Sequence, residues 1–129
     1  MHVCPCAKEF ILMRNLFVQV ANYCRDRVHM ALAEEIELVK GGLSDGSIKG
    51  SCEEQWRKAF TDCFLKVDDE IGGKASLEPV APETVGSTAV VAIICSSHII
   101  VANCGDSRAV LCRGKEPMAL SVDHKVRDL

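Results

Sequence analysis

Hydrophobic positions between Gln19 and Lys40 recur at steps of three and four: Val20, Cys24, Val28, Ala31 with Leu32, Ile36 and Val39. That period stacks them along one side of an α-helix, because 3.6 residues complete a turn. Arg25, Asp26, Glu34, Glu35 and Glu37 fall mostly on the other sides. Gly41-Gly42 supplies a stop signal, and Lys40 stands in the last turn, where a cation suits the negative end of the helix dipole. The turn-rich stretch from Leu43 to Gly50 then reads as an exposed loop. Ser51-Cys52-Glu53-Glu54 has the form of a capping box, in which the serine and the glutamate three residues later satisfy each other's backbone N–H groups. The helix it opens carries Trp56, Phe60, Cys63, Phe64, Val67 and Ile71 on one stripe and ends at Gly72-Gly73. An aromatic stripe at this spacing reads as core. Two helices with one apolar face each need a common surface to cover.

After a loop containing Pro79 and Pro82 the period changes. Thr88 to Cys95 is a continuous, β-branched apolar run, the pattern of a strand buried on both faces. His98 to Cys104 reads as a second strand, antiparallel to the first because only the tight Ser96-Ser97 turn separates them. Arg108 to Arg113 reads as a third strand ending at Gly114-Lys115, and Met118 to Val122 as a short fourth. The expected fold class is α+β: two helices followed by an antiparallel β-meander.

Composition narrows the function classes. With 129 residues the length fits one domain. The net charge of -3, with no basic stripe, argues against a nucleic-acid binder. No apolar run approaches the roughly 20 residues that span a bilayer, which argues against a membrane protein. Phe10 to Met13 is too short for the apolar core of a signal peptide. Eight cysteines are the unusual entry in the composition. Cys24, Cys63, Cys95, Cys104 and Cys112 lie inside apolar periodic segments, where a thiol acts as a small hydrophobe and stays reduced inside the cell. The sharper alternative is a zinc module built on Cys4-Pro5-Cys6, which lacks a second pair at ligand spacing.

Gly105-Asp106-Ser107-Arg108 stands between two apolar strands. A glycine there lets the backbone turn and aims the following carboxylate past the sheet edge. Such an oxygen ligand suits Mg²⁺ or Mn²⁺, while the plainer reading of Asp106 is a turn former. Arg108 suits a phosphate or a nearby carboxylate. Asp123-His124-Lys125 offers a metal or general-base pair, or a structural hydrogen-bonding role. Asp68-Asp69-Glu70 reads as a solvated run at the end of the second helix. There is no G-x-S-x-G elbow, Walker loop or G-x-G-x-x-G.

Three segments carry a resemblance. They are Glu83-Thr84-Val85-Gly86-Ser87-Thr88-Ala89-Val90-Val91, Asn103-Cys104-Gly105-Asp106-Ser107-Arg108-Ala109-Val110-Leu111, and Leu120-Ser121-Val122-Asp123-His124-Lys125. Together with Val20-Ala21-Asn22-Tyr23-Cys24-Arg25-Asp26-Arg27 they resemble plant type 2C protein phosphatases, most of all the abscisic-acid co-receptor group. The resemblance spans residues 19–125 as a partial phosphatase domain, with a divergent N-terminal segment at 1–18 and a divergent tail at 126–129. It implies a sandwich of two antiparallel sheets flanked by helices. It also implies Mg²⁺- or Mn²⁺-dependent dephosphorylation of phosphoserine and phosphothreonine, phosphoprotein substrates, kinases and abscisic-acid receptors as partners, and a place in nucleus and cytoplasm. Residue by residue, it makes Asp106 an outer, third metal position and puts Glu83 and Thr84 in a receptor-facing loop. The family's Asp-Gly-His-Gly-Gly should end a strand just before Gln19, where this chain reads Met13-Arg14-Asn15-Leu16-Phe17-Val18. Without those ligands the chain is expected to be inactive, and the alternative is a non-catalytic interaction module or decoy.

Overall fold

The computed structural model describes residues 8–15, 18–74 and 78–124, with backbone alone for the first of these segments. The order is β1 (Lys8–Asn15), α1 (Val18–Ser44), α2 (Cys52–Ile71), β2 (Ser87–Ile94), β3 (Ile99–Cys104), β4 (Val110–Arg113) and β5 (Glu116–Ala119). Two compact units divide the described residues, 22–85 and 8–21 with 86–124. The expected α+β class is correct, with two helices and antiparallel strands in two small sheets, one strand before the helices and four after them.

In the helical unit the predicted apolar face of α1 is the buried one: Cys24, Val28, Ala31, Leu32, Ile36 and Val39 are all core residues. The stop signal at Gly41-Gly42 does not act, and α1 continues to Ser44. The reason is local. An added Cβ at Gly42 would lie 2.6 Å from the Ile48 side chain, so the glycine makes room for the loop to fold back, and the Ile48 N–H donates to the Gly42 carbonyl at 2.8 Å. The polar connection that follows ends at the predicted capping box: Ser51 Oγ accepts from the Glu54 N–H at 3.3 Å, and Glu54 Oε2 accepts from the Ser51 N–H at 2.6 Å. Replacing Ser51 by alanine removes one half of that exchange and is expected to cost about 1 kcal/mol in urea denaturation followed by Trp56 fluorescence.

α2 buries Trp56, Ala59, Phe60, Cys63 and Val67. Its ring stripe is in tilted contact, with centroids 6.0 Å apart for Trp56–Phe60 and 6.1 Å for Phe60–Phe64. It ends at Gly72, as expected. α2 runs back along α1. Cys63, fully buried, donates its thiol to the Val28 carbonyl at 3.6 Å, and burial, with Glu35 adding to it, pushes that thiol up to about 11.

The acidic run at the end of α2 is not uniformly solvated, and Glu70 is the exception. Its carboxylate accepts from Tyr23 Oη at 2.8 Å, from Arg27 Nη2 at 2.8 Å and from Arg27 Nε at 2.9 Å. Arg27 also reaches Glu34, and Lys66 bridges Glu34 and Glu35. Charges spaced along one helix therefore pair with charges on the other, which helical periodicity alone does not reveal.

In the second unit β2 is the central strand of a three-stranded antiparallel sheet, ordered β1-β2-β3. Val90 and Val91, which point to opposite faces of the strand, are both buried, as the continuous apolar run predicts. The hairpin to β3 closes where Ile94 faces Ile99, and Cys95 N–H donates to the His98 carbonyl around Ser96-Ser97. β1 is an element the sequence reading lacks. It pairs along the whole of β2, from Lys8 opposite Ile94 to Asn15 opposite Ser87.

The expected single meander is also corrected. β4 and β5 form a separate two-stranded sheet. The third strand starts at Val110 rather than Arg108, because residues 105–109 are drawn into other bonds described below. The fourth starts at Glu116, because Gly114 (φ +69°) and Lys115 close a two-residue hairpin with Arg113 opposite Glu116. Cys104 and Cys112, read as core thiols, are exposed, whereas Cys24 and Cys63 are buried. Cys4 and Cys6 lie outside the described residues.

Candidate functional site

The bend after β3 gathers the three segments on which the sequence reading rests. Gly105 takes φ +105°, which side-chain-bearing residues rarely adopt, and a Cβ there would sit 2.4 Å from Thr88 Cγ2. The backbone thus passes directly over Thr88 at the start of β2. Two residues on, buried Ser107 shares a hydrogen bond with Thr88, Oγ to Oγ1 at 2.7 Å. The first and second segments are joined by these two contacts.

The third segment closes over the same bend. His124 N–H donates to the Gly105 carbonyl at 2.8 Å. Asn103 Nδ2 donates to that carbonyl as well, at 3.0 Å, and to the Val122 carbonyl at 2.9 Å. Ser121 Oγ accepts from the Ala109 N–H at 3.0 Å. Arg108 meets Asp123 with its forked face, Nε to Oδ1 at 2.9 Å and Nη2 to Oδ2. That ion pair raises the arginine's pKa, chiefly through the charged hydrogen bond.

These contacts bear on the alternatives left open by sequence. Arg108 pairs with a carboxylate rather than waiting for a phosphate. Asp123 takes the other side of that ion pair, and the His124 bond is made by its backbone N–H. Asp106 stands on the bend with its side chain exposed and makes no ion pair among the described residues. Glu83 and Thr84 occupy the other unit, at the centre of a turn in which Val85 N–H donates to the Pro82 carbonyl at 2.9 Å, and both are exposed. Sequence reasoning missed Asn103 as a clamp. Its only signal was an amide inside an otherwise apolar strand.

The chemistry of the donor set is limited. Among the described residues no three His, Cys, Asp or Glu side chains gather to hold a metal ion. No helix among them is long and apolar enough to cross a membrane.

The profile of the family described as Protein phosphatase 2C matches residues 11–129. The chain belongs to this family. Protein phosphatase 2C sequences from plants align closely with it. It is 67% identical over 110 residues to probable protein phosphatase 2C 6 of Oryza sativa subsp. japonica, an alignment covering 83% of this chain and 23% of that protein. It is 60% identical over 118 residues to protein phosphatase 2C 7 of Arabidopsis thaliana, with the same coverages. Protein phosphatase 2C 50 of Oryza sativa subsp. japonica is 53% identical over 118 residues, covering 83% of this chain and 30% of that relative. The chain thus spans about a quarter of the length of the curated relatives it matches. The α+β arrangement is consistent with a partial protein phosphatase 2C domain.

Proposed function

We propose that this chain carries part of a plant phosphoserine/phosphothreonine phosphatase domain of the abscisic-acid co-receptor group, and that by itself it does not hydrolyse phosphoesters. The observation that carries this reading is the junction of β1 and α1. A strand, β1, does precede the long helix there, where the resemblance implies metal-binding Asp and His. This strand instead ends Met13-Arg14-Asn15, with two residues between it and the start of α1 at Val18. A pair of Mg²⁺ or Mn²⁺ ions that activates water needs several carboxylates held around it. The described residues do not fit such a pair, so no catalytic step is derived through it.

With p-nitrophenyl phosphate or a phosphoserine peptide and Mn²⁺, the full chain is expected to turn over no faster than an Asp106→Ala variant or a buffer blank. Turnover clearly above both overturns the reading of inactivity.

Two site roles belong to the same proposal. Asp106, a lone exposed carboxylate, suits an outer metal ion that keeps most of its water. Glu83 and Thr84, at the tip of the Pro82–Val85 turn, suit contact with an abscisic-acid receptor. That exposed turn favours the second reading, in which the chain is an interaction module or decoy for receptor or kinase partners in nucleus and cytoplasm. A pull-down with purified receptor and hormone tests it: retention lost on Glu83→Lys supports the contact, and no retention of the unaltered chain removes it.

A further inference from the structure

Asn103 sits one residue before the end of β3, among apolar neighbours, and both hydrogens of its amide are committed. Nδ2 spans two backbone carbonyls, those of Gly105 and Val122, which are 17 residues apart in sequence. This fixes the amide's orientation, because a flipped group would press its oxygen against both carbonyl oxygens. The consequence falls on the other atom. Asn103 Oδ1 is buried and has no hydrogen-bond partner. Almost every buried polar atom finds a partner, so an orphan acceptor beside two committed amide hydrogens calls for an explanation.

We infer that Asn103 is the positioning residue for Asp106. Its amide ties the Gly105 carbonyl to the 122–124 segment, and the peptide unit that carries this carbonyl leads directly into Asp106. The Gly105 carbonyl is held from two sides, by Asn103 Nδ2 and by the His124 N–H. Ser107, on the far side of Asp106, is pinned to Thr88. The exposed carboxylate thus stands on a backbone fixed both before and after it, while its own side chain remains open to solvent. This is the arrangement expected of a group that must meet a cation at a set place without being consumed by an ion pair. The functional consequence rests on the reading of Asp106 as an outer metal position. The positioning itself does not.

The test uses the full chain, uniformly labelled with ¹⁵N, with Mn²⁺ alone as the probe. Dilute Mn²⁺ is expected to broaden the amide signals of Asp106 and its neighbours selectively, and Asp106→Asn to abolish this. Asn103→Leu, of similar size but without donors, is expected to weaken the broadening by about three- to tenfold, the arithmetic of one lost hydrogen bond. Hydrogen exchange at Val91 and Val101 should stay unchanged, a result that a merely structural role would not give. Undiminished broadening in Asn103→Leu overturns the inference.

Absence of selective broadening in the unaltered chain removes the metal reading of Asp106 alone. The positioning is then decided without metal. Asn103→Leu should shift the Asp106 amide and speed exchange at His124, and unchanged signals at both overturn it. If Asn103→Leu does not fold, Asn103→Gln carries the same comparisons, since it keeps the amide but displaces it by one methylene.

Discussion

Replacing Gly105 by alanine is expected to destabilise the sheet unit by roughly 2–5 kcal/mol, as two costs add at that position. The first is conformational: φ +105° lies well outside the region that a residue with a side chain tolerates. The second is steric. The new methyl group would approach Thr88 Cγ2 to 2.4 Å, Cβ to 2.7 Å and the Thr88 backbone Cα to 3.3 Å. A rotamer change can move the first atom but not the last, so β2 or the bend must shift. Gly114 separates the two costs. It too has positive φ (+69°), but an added Cβ there meets nothing within 4 Å, so Gly114→Ala should cost only about 1–2 kcal/mol. Hydrogen exchange at the β2 and β3 amides measures the Gly105 effect. A loss at Gly105 no larger than at Gly114 would show that the bend does not press on Thr88. Because the bend also carries Asp106, the same substitution is expected to release that carboxylate from its place.

In the helical unit the largest electrostatic effect is expected from Arg27→Met, about 1.5–3 kcal/mol by urea denaturation followed through Trp56. Methionine keeps the aliphatic stem but takes the guanidinium from Glu70, whose side chain is only 17% exposed, and leaves the Tyr23 hydroxyl donating to its carboxylate. Adding Glu70→Gln should then cost much less than it does in the unaltered chain, which a double-mutant cycle reads directly.

The same network gives a pH dependence of definite sign. Hydrogen bonding from Arg27, then from Lys66, holds the Glu34 carboxyl at about 2, against an ordinary value of 4.5. Arg27, chiefly, also holds Glu70 below its ordinary range. Acids depressed in the folded state stabilise it fully above their unfolded values and lose that contribution as pH falls through the folded ones. The melting temperature should therefore fall between about pH 4.5 and pH 2, and Arg27→Met should flatten the fall. An equally steep decline in the variant would place the acid sensitivity elsewhere.

The two networks bear differently on function. The helical one joins α1 to α2 and touches none of the residues assigned a functional role. The bend network joins the three segments of family resemblance, so those residues are tied to one another as much as to any chemistry. Arg108 and Asp123 illustrate this: each looked available for catalysis in sequence, and each is taken up by the other.

Much of the architecture was written in the sequence. The face of α1, the capping box and stripe of α2, the doubly buried β2 and its Ser96-Ser97 hairpin all follow from period, turn residues and caps, which act over a few neighbouring residues. Family membership was legible for the same reason, since short ordered motifs survive without their surroundings. Tertiary structure alone decided the rest. It recruited Lys8–Asn15 as a strand because β2 offered an open ladder edge, carried α1 past Gly42 because Ile48 folds back over it, and split the meander because residues 105–109 spend their bonds on Thr88, Ser121 and Asp123. Each of these depends on a contact that period and turn residues do not encode, and no such pattern specifies which partner a backbone or charged group will meet.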